Sequence, residues 1–398
     1  MNQIIKMHLI LFSLALAFAA SAGSAWANVA ANTQIINTAT LTYNDGTGTK
    51  TVNSLPVVVT VTLIPGTPTV AKVSDQSTSY TGPNTPLTNT FTITASNTNG
   101  PDTYLLTPAI IGTPSNTSVA SVALTSPASP VLLGATVTLA GCTTTVLNVP
   151  ADGNNGDNAV NGIAKDDWVV VNGQLKQVAS IVDNATLIST ITLASALTVA
   201  PSAGILVGEQ QTVTVTVNSG TIQNTGQNIV ITKQLTIAST TDSTKTANTS
   251  ANPTIDTYTS GLATLTKYVR NVTTPAVGTG TVYPYSSNNY YSSGITAKPG
   301  ETLEYILVAT NTGNAQVSAA AITDTLPITY VSLKPGAYSG GRDITYFNEI
   351  GTASYLTSVA DVDAATYASP ILTVNVGTGG IITTGATVRV LYQVTVNN

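Results

Sequence analysis

Charge is what this chain has least of. Asp, Glu, Lys and Arg make up 8% of its 398 residues, against about 25% in ordinary soluble domains. A surface built of helices is thereby disfavoured, because exposed helix faces are normally filled with Glu, Lys, Arg and Gln. Histidine occurs once (His8), methionine twice (Met1, Met7) and tryptophan twice (Trp26, Trp168). All of these except Trp168 fall within residues 1–27, which read as an export leader. Lys6 supplies the positive region, His8 to Ala20 an apolar stretch too short to span a bilayer, and Ala25-Trp26-Ala27 a cleavage site of the A-x-A kind. A mature chain beginning near Asn28 then has no histidine at all. Ser-His and Cys-His catalysis and the common zinc sites are excluded with it, and no cofactor motif appears elsewhere. The chain is expected not to be an enzyme.

Cysteine is nearly as scarce. A single residue, Cys142, cannot form an internal disulfide, so an exported chain has to draw its stability from cores and ladders. Cys142 lies in the strand-like run Val137 to Val146, where it reads as a small buried hydrophobe, the alternative being a covalent dimer. No cysteine follows the apolar stretch as a lipoprotein would need. No later segment is long and apolar enough to cross a membrane. A net charge of −5 and a pI near 4.7 disfavour nucleic acid as a partner.

What is abundant is threonine, about 70 residues whose β-branched stems suit a pleated surface. Hydrophobic residues reach 42%, with 31 Gly and 19 Pro between the apolar runs. Period-2 alternation recurs from Thr33 onward, as in Ile36 to Tyr43, Val57 to Leu63, Phe91 to Ala95, Thr212 to Val217, Tyr305 to Ala309 and Val388 to Val396. Turn residues separate these runs at sandwich-like spacings. Only Val359 to Tyr367 hints at a short helix. The pattern predicts an all-β fold of tandem β-sandwich modules.

An internal repeat divides the chain. Phe91-Thr-Ile-Thr-Ala-Ser-Asn-Thr-Asn-Gly100 and Tyr305-Ile-Leu-Val-Ala-Thr-Asn-Thr-Gly313 are both strands that end in Asn-Thr before a tight turn. Each follows a lysine-bearing strand, Thr69 to Ser74 and Leu265 to Val269. Two modules, 65–255 and 256–398, account for this. The first is longer by a small β-subdomain inserted at about 130–207, in which Asn172-Gly173 is a strong hairpin signal. Residues 28–64 hold one hairpin around Asn44-Asp45-Gly46 and a Val-rich strand, too little to enclose a core. Those strands pair either with the following module or with a neighbouring molecule.

Leu265-Thr-Lys-Tyr-Val-Arg-Asn-Val272, Lys298-Pro-Gly-Glu-Thr-Leu-Glu-Tyr305 running on to Gly313, and Ala321-Ile-Thr-Asp-Thr-Leu-Pro327 carry a family likeness. In order and spacing they resemble the bacterial and archaeal surface-repeat family known as domain of unknown function eleven, most specifically over 262–330. The first module shares only the Asn-Thr turn and the lysine strand. The resemblance implies immunoglobulin-like sandwiches in exported envelope or extracellular proteins, in structural or adhesive settings and with no catalytic residues.

Several constellations compete for a role. Glu301 and Glu304 are the one carboxylate pair suited to glycoside hydrolysis, but three-apart residues on a strand face opposite ways. Asp152-Gly-Asn-Asn-Gly-Asp157 with Asp166-Asp167 offers oxygen ligands without the spacing of a calcium loop, and reads as a solvated turn. Tyr283, Tyr285, Tyr290 and Tyr291 form an aromatic run that reads either as a partner-contacting loop or as a hairpin covering the sandwich edge. Lys267, Glu304 and Asn397 are placed, by strand order, for a crosslink between first and last strands. The unpartnered strands bearing Ile36, Ala39, Leu41 and Tyr43 suggest donation into a neighbour, and hence a subunit of an extracellular filament or sheath. The alternative is an adhesin or glycan-binding module using the tyrosine run or the surroundings of Trp168. The partners expected are thus other copies of the chain, another surface protein or a glycan.

Overall fold

The computed structural model describes residues 29–398 except 119, 154–155, 185–187 and 378. The expected leader, 1–27, lies outside the described residues. Among the described residues the regular structure is β-strand throughout, with one 3-10 turn at Ser339–Gly341 and no helix able to cross a membrane. The short helix anticipated at Val359 to Tyr367 does not form. Thr357 N–H donates to Asp363 (2.7 Å) and Asp363 N–H to Asp361 (2.8 Å), so carboxylates take up the backbone donors. Such local bonding competes with helix, and the segment continues as the strand Ala365–Ala368.

The first sandwich opposes a nine-stranded and a six-stranded sheet. In the larger, Pro86–Thr94 lies between Thr69–Lys72 and the 13-residue strand Leu206–Asn218, antiparallel to both. In the smaller, Ile229–Ser239 lies between Asp102–Ile110 and Thr254–Thr259. Strict alternation along Ile229–Ser239 turns every second side chain inward. Leu235 and Ile237 thus meet Phe91, Ile93, Val213 and Val215 from the facing sheet. Each such side chain contributes about 1.5–3 kcal/mol when fully buried. One member of the inward row is a lysine, Lys233, with no exposure to solvent.

The inserted subdomain is continuous with this sheet. Leu206–Asn218 pairs along its first half with Trp168–Val171 and Ala135–Val137, and along its second half with Pro86–Thr94 and Ser121–Ser126. One strand therefore carries two cores, the second formed by Leu147, Val149, Ile163, Val171 and Ile191. Asn172 (φ 49°) and Gly173 (φ 71°) make the expected tight hairpin between Val171 and Gln174. The insert starts later than its sequence suggests, since Val131–Leu133 still pairs with Asp102–Ile110 of the sandwich. Cys142 is not on a strand, because Ala135–Val137 ends five residues before it. It sits half-buried in the turn that follows, with its thiol against the Leu139 carbonyl at 3.2 Å.

The second sandwich repeats the three-strand unit. Thr302–Asn311 lies between Ala263–Asn271 and Thr387–Val396, antiparallel to both, within an eight-stranded sheet. One face, with Leu307, Ala309, Val388 and Val390, packs on a three-stranded sheet through Ile322, Leu372 and Val374. The Asn-Thr signature has a structural reason here. Buried Asn311 donates to the carbonyls of Ala315 (2.8 Å) and Ile382 (2.9 Å) and accepts from Gly313 and Leu262 N–H. Its side chain satisfies backbone groups that the turn would otherwise bury unpaired.

In the first module the corresponding turn serves the N-terminal segment. Asn99 Nδ2 donates to the carbonyls of Val29 and Thr62, both at 3.1 Å, and Asn99 Oδ1 accepts from Ile64 N–H at 2.7 Å. From this anchor rises a two-stranded ribbon: Gln34–Asn37 pairs with Val57–Thr60, and Thr40–Asn44 with Thr49–Asn53. Among the described residues the ribbon strands pair only with one another. Asn99→Ala is expected to speed amide exchange at Ala31 and Ile64 by about tenfold or more, since a side-chain hydrogen bond is worth about 1 kcal/mol and three are lost. Exchange in the strand Leu206–Asn218 should not change, and unaltered protection at both anchor amides would refute the clamp.

Candidate interaction surface

The tyrosine run is a hairpin, not a contact loop. Thr279–Tyr285 and Asn288–Ser293 pair with Tyr283 opposite Tyr290, which places both rings on one face. That face lies on the sheet surface formed by Ile306, Val308 and Leu391, away from the three-stranded sheet. Tyr290 is 2% exposed and Tyr291 is also buried, so neither is available to a partner. Tyr283 and Tyr285 are half-buried, stacked with Tyr268 and edge-on to Phe347, with the Arg389 guanidinium donating to Tyr283 Oη at 2.6 Å. Alternation along two paired strands, with Tyr283, Tyr285 and Tyr290 on the inward positions, is the physical reason. Of the two readings the sequence allowed, the covering hairpin is the observed one.

Beneath it lies Glu304, whose carboxylate is fully engaged. Arg270 Nε and Tyr290 Oη donate to Oε2 at 2.6 and 2.7 Å, and Tyr338 Oη and Gln393 Nε2 to Oε1 at 3.0 Å each. Burial works against its charge, but the bonds from Gln393 and Tyr290 and the Arg270 charge outweigh it and hold the carboxyl below its ordinary 4.5. Glu301 is bound elsewhere, to Thr274, Asn271 and the Lys298 N–H, and is pulled down to about 2 by those bonds. The two carboxylates do not share a site, which removes the geometry a glycosidase needs.

Lys267, Glu304 and Asn397 are likewise kept apart. Lys267 is opposite Leu307 in the ladder and bonds Asp324 at 2.9 Å, on the face away from Glu304. Asn397 bonds the Ile328 carbonyl at 3.0 Å and Ser332 at 2.8 Å. The parity of the strand decides this, since 267 and 304 point to opposite faces of the same sheet. In the acidic loop, Asp152 accepts from Asn161 N–H and Asp157 from Ala159 N–H, while Asp167 accepts from Ala164 N–H at 2.6 Å. No cluster of potential metal ligands occurs among the described residues. Trp168 is exposed on the strand that joins the insert to the shared sheet.

Among the described residues, free strand edges coincide with uncovered apolar side chains on two surfaces of particular note. The first is the ribbon. Ile36, Ala39, Leu41 and Tyr43 all stand exposed on it, Ile36 at 61%. Register places Ile35 beside Val59 on one face and Ile36 beside Val58 on the other, so both faces near its base are apolar. The second surface escaped the sequence reading. In the second sandwich Ala263–Asn271 meets the tyrosine hairpin only at Val269, so its first half has a free edge. Ala321–Thr325 pairs only with Ile371–Asn375 and leaves another. Between these edges runs a groove of about 340 Å³ lined by Leu265, Ala309, Val317, Ile322, Val376 and Ile382. Leu265, opposite Ala309 on the inward face, is still 54% exposed, because the sandwich is open there. No sequence signal marks the groove, since Leu265 alternates like any inward strand residue and only the fold leaves it uncovered.

For Glu304 the expected pH dependence follows from its depressed pKa. The native state favours the ionised form more than the unfolded chain does, so its stabilisation is complete above about pH 4.5 and is lost as pH falls through the folded pKa. Glu304→Gln leaves Arg270 without its anion and should cost roughly 3 kcal/mol at neutral pH, with a shallower acid limb in urea titrations. Acid limbs of equal slope in the two proteins would show that the carboxylate is not the source.

No family model matches the chain, and no curated protein matches it. Among solved structures it is similar to the C-terminal domain of the antigen I/II-family protein AspA of Streptococcus pyogenes, with TM-score 0.28 and 10% identity over 83% of this chain and 91% of that one. It is also similar to a putative membrane anchored protein from Corynebacterium diphtheriae, with TM-score 0.18 and 9% identity over 92% of this chain and 89% of that one.

Proposed function

We propose that the chain is an exported structural protein of the cell surface, a subunit that polymerises into a filament or sheath by strand addition. The ribbon 34–60 of one copy is the donor, and the groove between Ala263–Asn271 and Ala321–Thr325 of the next is the acceptor. The observation that carries this reading is the ribbon itself. A lone two-stranded hairpin is at best marginally stable in water, and this one is apolar on both faces. Strands with that character are normally buried on both faces within a larger assembly. Insertion between two open edges would satisfy the backbone donors and acceptors of ribbon and groove together and cover Leu265 and Ile322.

Donor and acceptor lie at different places on the subunit, so the contact is heterologous and propagates unless a ring closes it. The chemistry of reactive side chains has no part in this. The alternative, a glycan-binding adhesin, loses its tyrosine site to the core and is left with Trp168 alone.

The test uses the whole exported chain. Thr33 and Val61 are bonded neighbours across the ribbon base at 2.9 Å, so residues 34–60 can be replaced by a short Gly-Ser turn without disturbing the module. The intact protein should form filaments in negative stain and large species in light scattering, and the shortened one monomers. Val58→Lys and Leu265→Lys should each abolish assembly while shifting monomer stability by about 0.5 kcal/mol or less, as exposed substitutions do. Assembly that survives both lysine substitutions would rule out this pairing.

A further inference from the structure

The inward row of Ile229–Ser239 places Lys233 in the middle of the first sandwich. Its ammonium group contacts Asp256 Oδ2, from the adjacent strand, and Asn89 Oδ1, from the opposite sheet. Asn89 Nδ2 in turn donates to Asp256 Oδ1 at 2.7 Å. All three residues have no solvent exposure. A hydrophobic residue at 233 would satisfy this core at no electrostatic cost, whereas a buried ion pair is a poor stabiliser. An amine, a carboxamide and a carboxyl group in mutual contact, all buried from solvent, call for another explanation.

We propose that Lys233 Nζ and Asn89 Cγ are joined by an isopeptide bond, formed within the folded module with Asp256 as the proton carrier. The neutral amine attacks Cγ, forming the new C–N bond, while Asp256, its carboxyl group carrying at Oδ2 the proton taken from Nζ, holds the carboxamide nitrogen at Oδ1. Nζ gives up one hydrogen through the carboxyl group to the departing nitrogen, the old C–N bond breaks, and ammonia leaves. Asp256 ends as it began, and nothing is oxidised or reduced. Exclusion of water serves the reaction twice. Burial lowers the basicity of Lys233, favouring the nucleophilic free amine. It also denies the carboxamide a competing hydrolytic nucleophile.

The bond would tie the two sheets across the core. Asn89 and Lys233 are 144 residues apart, so the loop it closes contains the whole inserted subdomain. The proposal is independent of the strand-addition reading, since each can fail alone.

Peptide mapping of the purified full-length protein decides the matter. Trypsin cannot cut after an acylated lysine, so residues 73–165 and 177–245 should be recovered as one branched species lighter than their sum by one ammonia, about 17 Da, the leaving group of the acyl transfer. Intact mass should show the same deficit. Asp256→Asn, close to the native shape, should keep the circular dichroism of the parent but restore the full mass. Its Tm should fall on the order of 10 °C, as expected for losing a crosslink around so long a loop. Recovery of the two linear peptides at full mass, cleaved after Lys233, overturns the proposal whatever the variant does.

Discussion

A backbone N–H or C=O left without a partner is the cost around which this chain is arranged. Most β-proteins protect exposed sheet edges with charge, lysine above all, and here charged residues are only 8% of the whole. Other devices take their place. Asn311 and Asn99 turn side-chain amides into backbone partners at the ends of the central strands. Leu206–Asn218 removes an edge altogether by serving the sandwich with one half and the insert with the other. The tyrosine hairpin covers the outer face of the second sandwich with rings, as Arg389 and Glu304 satisfy its hydroxyls. Against that economy, the ribbon and the open groove stand out among the described residues because their free edges also carry uncovered apolar side chains.

How much of this was legible in the sequence depended on whether the deciding partner lay nearby in the chain. Alternation and turn chemistry are local, and so most strands, the Asn172-Gly173 hairpin and the hairpin around Asn44-Asp45-Gly46 could be read directly, whereas the pairing of Gln34–Asn37 with Val57–Thr60 could not. The likeness between 91–100 and 305–313 was also local, and both segments occupy the middle of the same three-strand ladder. What could not be read was which layer lies over a strand. Tyr290 and Tyr291 alternate as any surface hairpin would, and only the fold-back of Thr279–Ser293 over Ile306 and Leu391 buries Tyr290. Val359 to Tyr367 failed for a local reason of a different kind, because Asp361 and Asp363 compete with helix for the backbone.

The lysines show the same limit more sharply. Lys267 and Glu304 looked like members of one crosslinking set with Asn397 because strand order puts a lysine on the first strand of the second module, an asparagine at the end of the last and a carboxylate on the strand between. Parity sends them to opposite faces of a single sheet, where Lys267 meets Asp324 and Glu304 meets Arg270. The set that does converge, Lys233, Asn89 and Asp256, comes from three strands spread across the first module. Nothing in the spacing of 89, 233 and 256 announces it. The one local hint was that position 233 falls on the apolar phase of a strictly alternating strand, where a lysine has no reason to be unless something in the core requires it.

These features together bear on how such a molecule carries tension. Force entering through the ribbon would reach the first sandwich near Asn99 and leave it through Thr254–Thr259 toward the second. Held without a covalent link, that path runs through Pro86–Thr94 and Ile229–Ser239, in different sheets joined by the apolar interface and the Asn89, Lys233 and Asp256 contacts between them. Side-chain contacts across such an interface are short-ranged and yield once the sheets slide. A covalent link between positions 89 and 233 would carry the load directly and leave residues 90–232, the insert among them, slack. The absence of internal disulfides then ceases to be a weakness: a chain with one cysteine can still close a long loop, provided the core supplies an amine, an amide and a carboxyl group in contact.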